Sequence, residues 1–504
     1  MNIIGGIKKN LTEQNKKRFI SYLKRNGLRA SYYKVIEKLK WERSESGQPG
    51  GYLRTRPGED ELTRQRCTEF EYKYKISIVV PAYETETEFL RQMLKSVIGQ
   101  TYSEWELCIA DGSKSDSVQN VVMNMIGKTV DSRIGSKIKY QRLRENKGIS
   151  GNTNAALRMA TGEYIGFLDH DDVLCEDALF EVVKALNETA YKRGNITANK
   201  TMLLYSDEDK INEDMTEYFD NHYKPGFDID LLRSNNYICH FLVVSSEVLQ
   251  KTGGFLKEYD GAQDHDLIFR CVEQLKTENI RHIPKILYHW RAHEISTALN
   301  PDNKLYAFEA GKRAIEDHLK RMGLNARVMY TEHLGFFRVR YDPGELKYVT
   351  MTPGELALYD IEMIKSLPAD AVMIIDEKIK AVNNDSIEEL LGNMTRPETG
   401  AAGGKILTKD GRIDNAGYSF DSSGKLKPRF RGMNGHFSGY MHRASIQNET
   451  DRLDKSCVMI KKEALLEWLA EGGSMTETLK EFDAKRLGDK YVYVYDPFAR
   501  FRRV

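Results

Sequence analysis

Residues 164–172 read YIGFLDHDD, and 76–84 read ISIVVPAYE. Each is a short apolar, β-prone run that breaks abruptly into polar residues. In 76–80 the β-branched run is closed by Pro81, the mark of a fully buried strand. Working outward, 89–100 carries apolar residues at helical spacing, and 105–110 (WELCIA) is a second strand ending at Asp111-Gly112-Ser113. A third strand is expected over 138–143, followed by Asn146-Lys147-Gly148 and a helix through Ala160. YIGFL is then the fourth, and it ends in Asp169-His170-Asp171-Asp172. Strands alternating with helices predict an α/β fold with a doubly wound, mostly parallel sheet. Ligands of such sheets bind outside the carboxyl ends of the strands. Here every polar signature follows a strand directly, so the signatures should converge on one crevice.

In order and spacing, Pro81-Ala82-Tyr83, Asp111-Gly112-Ser113, Asn146-x-Gly148 and Asp169-x-Asp171 resemble the motif series of family 2 glycosyltransferases. The resemblance covers about residues 74–320. It implies a GT-A fold and an inverting enzyme that uses a nucleotide-sugar donor. In texture the chain is similar to bacterial transferases that build rhamnose-containing cell-wall and O-antigen polysaccharides. Those share a basic leader and phrases such as 205–210 (YSDEDK) and 234–237 (SNNY).

The resemblance assigns roles residue by residue. Asp169 and Asp171, with Asp172 as a lesser candidate, would hold a divalent ion, Mn²⁺ or Mg²⁺. The chemistry agrees, because charge grows on the diphosphate as the sugar–phosphate bond breaks and carboxylate-held cations offset such charge. Pro81, Tyr83, Glu84 and Asp111 match positions that hold the base and ribose, and Asn146 and Asn154 match positions near the nucleotide. An arginine expected beside Asn154 is Thr153, which removes one cation. Asp264, in 261–266 (GAQDHD), matches the base that takes the acceptor hydroxyl proton. An Asp at a helix start also has a purely structural use, worth about 0.3–1 kcal/mol against the macrodipole. Arg291, His293 and Ser296 match a loop that closes on the diphosphate or its metal, with His293 a candidate metal ligand. His289 is assigned nothing. Asp207-Glu208-Asp209 reads equally as a sugar-facing cluster or as a solvated acidic turn.

Residues 345–504 resemble the later half of a second such domain. AVMIID (371–376) parallels the YIGFLD strand, but Lys378 stands where a second metal acid is needed. Thr476-Glu477-Thr478-Leu479 falls where a base motif would lie. This smaller, degenerate GT-A-like domain therefore reads as catalytically silent, binding acceptor glycan or a partner subunit, or simply packing. A metal-independent second active site is the rival.

Around this core, 504 residues with 75 Lys+Arg, 74 Asp+Glu and a net charge of +1 hide an uneven distribution. Met1 to Arg43 carries twelve basic residues against three acids, which leaves 63 basic and 71 acidic residues for the body. Two basic helices are expected over 12–41. They read as a hairpin on the acidic body or as an anchor on anionic lipid. The expected organisation is a leader and linker over 1–73, the catalytic domain over 74–330 and the degenerate domain over 345–504. Six scattered cysteines form no C-x-x-C pair, and no apolar window reaches 18 residues. The expectation is a cytoplasmic protein, peripheral at the inner membrane face, with no nucleic-acid partner. Its reaction would move a sugar from a UDP- or dTDP-sugar, dTDP-rhamnose among them, to a hydroxyl of a growing lipid-linked bacterial surface glycan. The alternative is a non-catalytic carbohydrate-binding or scaffolding subunit. A sugar-phosphate nucleotidyltransferase would need a Gly-rich phosphate loop after the first strand, and Pro81-Ala82-Tyr83-Glu84 offers none.

Overall fold

The computed structural model describes residues 56–128, 132–191, 200–292, 305–421, 423–471 and 490–504. The basic leader, His293, Ser296 and Thr476–Leu479 lie outside them. The chain divides into two compact units. One comprises Gly50–Phe227 and Asn236–Met322, and the other includes Asp228–Asn235 and Gly323–Val504. The helix Glu59–Arg66, within the expected linker, belongs to the first unit.

In the first unit the strands are β1 (Ile76–Ala82), β2 (Trp105–Asp111), β3 (Ile138–Arg142), β4 (Tyr164–Phe167), β5 (Val173–Leu174), β6 (Leu203–Ile211), β7 (Tyr218–His222), β8 (Leu242–Ser245) and β9 (Ile280–Arg291). Among the described residues these nine form one sheet in the order β3-β2-β1-β4-β8-β6-β9-β5, with β7 on β6. The first four run parallel. β1 and β2 are buried at every position, as apolar strands covered on both faces must be. The helix Thr87–Ile98 buries Leu90, Met93, Leu94 and Val97, an i, i+3, i+4, i+7 stripe that faces the sheet. Its amino end is capped by the Glu86 carboxylate, which accepts from the Glu88 and Phe89 amides.

β8 is antiparallel to both β4 and β6, so its amino end lies beside the carboxyl end of β4. Gly166 permits this pairing, because a Cβ there would stand 2.8 Å from the Phe241 ring. Gly166 pairs with Val243, and the segments just beyond carry Asp169, after β4, and His240, before β8, to within 4.0 Å of each other. This register decides the site.

The second unit holds another mixed sheet. Its order is 348–351, 371–375, 457–461, 399–407, 492–503, 379–381. The successive pairings are parallel, antiparallel, antiparallel, parallel and antiparallel. The path β1-β4-β8-β6-β9-β5 has the same five relations. Both sets of six strands also occur in the same chain order, and 413–415 hangs on 399–407 as β7 hangs on β6. Among the described residues the second unit thus repeats the first sheet without counterparts of β2 and β3.

Candidate active site

The carboxyl ends of β1 to β4 meet along one edge of the first sheet, where chain alternation puts polar residues next to buried strands. Pro81 is buried within β1, and Tyr83 just beyond it is 41% exposed. Glu84 bridges two loops: its carboxylate accepts from the Lys114 and Ser115 amides and the Ser115 hydroxyl, at 2.7, 3.1 and 2.7 Å. The Ser115 hydroxyl and these amides hold Glu84 below the ordinary carboxylate range. Asp111 is buried and accepts from the Ser113 amide at 2.8 Å and the Tyr140 hydroxyl at 2.7 Å. Asn146 Oδ1 accepts from the Gly148 amide and from Asn152, both at 3.0 Å, and so shapes the turn into the helix Gly148–Leu157. Asn154 is turned elsewhere. Its amide group exchanges two hydrogen bonds with the Phe255 backbone, at 2.7 and 2.8 Å, and pins the helix to that loop. Thr153 donates to the Ile149 carbonyl and supplies no charge.

The acidic loop after β4 separates its three carboxylates by environment. Asp172 is buried, and both of its oxygens are engaged, by the Tyr288 hydroxyl at 2.5 Å and the Arg291 amide at 2.7 Å. It is a positioning residue. Asp169 is 43% exposed and Asp171 is 21% exposed, so both reach the mouth of the crevice. Although Asp169 is partly open to solvent, crowding by protein pushes its carboxyl up, and the Asp171 charge adds to this. Burial, then Asp171 and Asp169, push Asp172 well up. Carboxylates that disfavour one another's charge in this way suit a divalent cation, whose presence reverses the balance. The donors are hard oxygens, as Mn²⁺ or Mg²⁺ requires, so the residues fit the ion.

Arg291 lies beneath this loop, fully buried. Its guanidinium donates to the carbonyls of Asp171 and Glu213, both at 2.6 Å, and covers the Phe89 ring. These bonds brace the acidic loop, while the guanidinium's Nη2 is buried without a partner among the described residues. His289 is likewise internal, between Asp209 at 2.5 Å and the Cys175 thiol at 3.1 Å.

Asp207, Glu208 and Asp209 are neither a turn nor solvated. They lie buried in β6, each facing histidine. Asp207 meets His282 at 2.8 Å, and Glu208 meets His222 at 3.2 Å and His240 at 3.1 Å. Burial opposes charge on Glu208, but Lys224, then His222 and His240, outweigh it and hold the carboxyl well below its ordinary range. The His240 ring stacks on Tyr288 at 4.6 Å and turns Nε2 toward Asp169, 4.0 Å away.

Asp264 sits in the first turn of the helix Gln263–Val272. Its Oδ2 accepts from the Asn236 amide group at 2.7 Å. The preceding turn depends on Gly261, whose φ of +99° and the Tyr306 ring 2.7 Å from any added Cβ exclude side chains. The Asp264 charge bears on Asp169 and Cys239, so Asp264 and the acidic loop share one electrostatic site. His240 was not singled out from sequence, Asn236 entered only within the phrase SNNY, and Glu208 only within the acidic run 207–209. The available signal was their position: Asn236 and His240 directly precede a strand that returns antiparallel to the acidic one.

With this geometry in place, comparison with known proteins is informative. Residues 77–250 match the profile described as Glycosyl transferase family 2. This chain carries a family 2 glycosyltransferase domain. The matched residues include β1, β2, the acidic loop and His240, while Asp264 and Arg291 lie beyond them. The chain is 28% identical over 451 residues to the Sinorhizobium fredii protein y4gI, an alignment covering 77% of this chain and 48% of that protein. It is 26% identical over 409 residues to the O-antigen biosynthesis protein RfbC of Myxococcus xanthus, covering 69% and 31% respectively. A GalNAc(5)-diNAcBac-PP-undecaprenol beta-1,3-glucosyltransferase of Campylobacter jejuni is 33% identical over 129 residues, 25% of this chain and 39% of its own. The chain thus spans half or less of these relatives' lengths. Family 2 domains of this kind are GT-A-like mixed α/β structures, and the first sheet has that form. The second sheet, with the acidic pair reduced to Asp376 and Lys378, is a degenerate copy. No described helix is long and apolar enough to cross a membrane.

Proposed function

We propose that the family 2 domain is an inverting, metal-dependent transferase that moves a sugar from a UDP- or dTDP-sugar to a hydroxyl of a growing, lipid-linked bacterial surface glycan. One observation carries the reading: Asp169 and Asp171 at the mouth of the crevice share an electrostatic site with Asp264, whose carboxylate is oriented by Asn236. The loops after β1 and β2, with Tyr83, Glu84 and Asp111, would take the nucleoside. Asp264 would accept the proton of the attacking hydroxyl on the face of the sugar opposite the diphosphate. Asn236 fixes the plane of that carboxylate, and Asp172, Tyr288 and Arg291 hold the acidic loop in place. A divalent ion held by Asp169 and Asp171 supplies Lewis-acid stabilisation of the departing diphosphate. His293 and Ser296 would close over the phosphates. The second unit, lacking the acidic pair, serves without catalysis.

The relatives named for O-antigen and undecaprenol-linked substrates support the choice of acceptor. On this reading the basic leader holds the enzyme at the inner membrane face. Deleting Met1–Arg43 should reduce binding to anionic vesicles while sparing donor hydrolysis, and undiminished vesicle binding overturns that role.

The main test is a panel of nucleotide sugars with Mn²⁺, scored by released nucleotide. One donor should turn over, and a panel with no turnover favours the non-catalytic, scaffolding reading. Asp264→Asn and Asp171→Ala should each lower transfer by about 10²–10⁴-fold with unchanged circular dichroism. Near-wild-type turnover in either variant overturns that residue's role.

A further inference from the structure

We propose that His240 is a protein ligand of the divalent ion, with Glu208 as the carboxylate that orients its ring; the inference rests on the metal reading above. The first argument is geometric. His240 Nε2 lies 4.0 Å from Asp169 Oδ2. Two ligands on one ion, at bond lengths of about 2.1–2.2 Å, stand at most about 4.3 Å apart. The antiparallel pairing of β4 and β8 brings the end of one beside the start of the other, and the short segments beyond those ends carry the two residues.

The second argument is the other side of the ring. A metal-bound histidine characteristically gives its second nitrogen to a carboxylate, which sets the tautomer and raises ligand basicity. His240 Nδ1 meets Glu208 Oε2 at 3.1 Å, and the same oxygen accepts from the His240 amide at 3.2 Å. With Nδ1 donating, the Nε2 lone pair faces Asp169. Glu208 itself is set back, neutralised by Lys224 at 3.3 Å and His222 at 3.2 Å, so it orients and does not ligate. Lys224 also donates to the Ile238 and His240 carbonyls and fixes the backbone on which the ring sits. Tyr288 completes the frame, stacking on His240 while bonded to Asp172 and to the Asp169 amide. Cys239 Sγ, 3.7 Å from Nε2, is a soft donor poorly matched to Mn²⁺ or Mg²⁺.

The third argument comes from the repeat. In the second sheet Ile375 pairs with Cys457, so Asp376 comes level with Ser456, and the Asp376 amide donates to the Ser456 carbonyl at 2.8 Å. Counting on from Ala402 opposite Met459 puts Ile406 where Glu208 stands. The copy with Lys378 for Asp171 therefore also has Ser456 for His240 and Ile406 for Glu208. The three changes fall together, as expected if the residues serve one ion.

The test is pulsed electron paramagnetic resonance of Mn²⁺ bound to the full chain with UDP, together with the Mn²⁺ affinity. The wild type should show a directly coordinated imidazole nitrogen. His240→Gln should abolish that coupling and weaken Mn²⁺ at least about 10-fold, whereas His293→Ala retains a coupled nitrogen. Glu208→Gln, as a positioning change, should keep the coupling and lose about 10–100-fold in affinity. His240→Asn provides the same test should the glutamine variant misfold. Coupling that survives in His240→Gln, or vanishes only in His293→Ala, overturns the proposal while leaving the metal reading intact. A wild type that binds Mn²⁺ no better than Asp171→Ala overturns both.

Discussion

Glu106 is a carboxylate with 2% of its surface exposed, one residue in from the start of β2 and at the edge of the sheet away from the acidic loop. It shows what a purely structural acid looks like in this chain. Lys75 and Lys139 reach it at 2.5 and 2.9 Å, Ser77 donates at 2.7 Å, and the Thr161 amide at 2.6 Å. Burial alone would raise its pKa. The Lys75, Ser77, Lys139 and Thr161 interactions outweigh it and bring the carboxyl down to about 2. A folded value below the unfolded one means stability that is complete above about pH 4.5 and is lost as the pH falls through about 2. The two lysines are partly solvated, so screening reduces the contribution to about 2–3 kcal/mol. Glu106→Gln should therefore lose about that much at pH 7 and show a flatter decline between pH 5 and 2. Urea unfolding across that range checks it, and parallel profiles for the two proteins refute it. Asp172 and Asn154 belong with Glu106 in one respect: sequence places them beside the chemistry, but their hydrogen bonds are spent on the frame. Motif position identifies a neighbourhood, and only the partners identify a role.

The same contrast runs through whole elements. β1, β2 and β4 are legible because strands buried on both faces must be continuously apolar, and their ends are marked by abrupt polar residues. β6 is not legible. LLYSDEDKI carries three consecutive acids, which in isolation suit a solvated turn, yet eight of its nine positions are buried. What stabilises them is a set of histidines and a lysine between 14 and 80 residues away, from β7, β9 and the segment before β8. No local pattern announces such partners, because pairing across a sheet depends on register and not on spacing. His240 was missed for the same reason. It becomes visible only when β8 is known to run against β4. In the second unit the apolar AVMII run and its terminal acid were readable, whereas the strand order that reveals a repeat was not.

For the molecule as a whole, the consequential feature is the eight-residue excursion Asp228–Asn235, which leaves the first unit's sequence and is built into the second. Its helix Ile229–Ser234 buries Leu231 and Leu232 there, and Asp230 takes a two-pronged hydrogen bond from the fully buried Arg396, at 2.5 and 2.8 Å. Arg396 also pairs with Glu398 at 3.0 Å and covers the Tyr341 ring. Asp228 and Glu449 stand close to Asp230, and burial followed by the Asp230 charge raises Asp228 to about 7. Arg396, together with Arg429, thus makes this acidic pocket tolerable. Removing Arg396 would leave buried negative charge uncompensated, a loss of about 3–5 kcal/mol. The excursion ends at Asn235, and the next residue, Asn236, orients Asp264. Loosening the helix should therefore reach Asp264, the proposed base, through the peptide bond that joins Asn235 to Asn236. In the full chain, Arg396→Ala should melt earlier by scanning calorimetry and lower kcat several-fold with little change in donor KM, because the proposed nucleotide contacts come from the loops after β1 and β2 and not from the Asn236 segment. Arg396→Lys, which keeps the charge but loses the fork, should fall between the two. Unchanged melting and unchanged kcat in Arg396→Ala would mean that the second unit neither depends on this ion pair nor steadies the base, and would leave its retention of the excursion without a catalytic consequence.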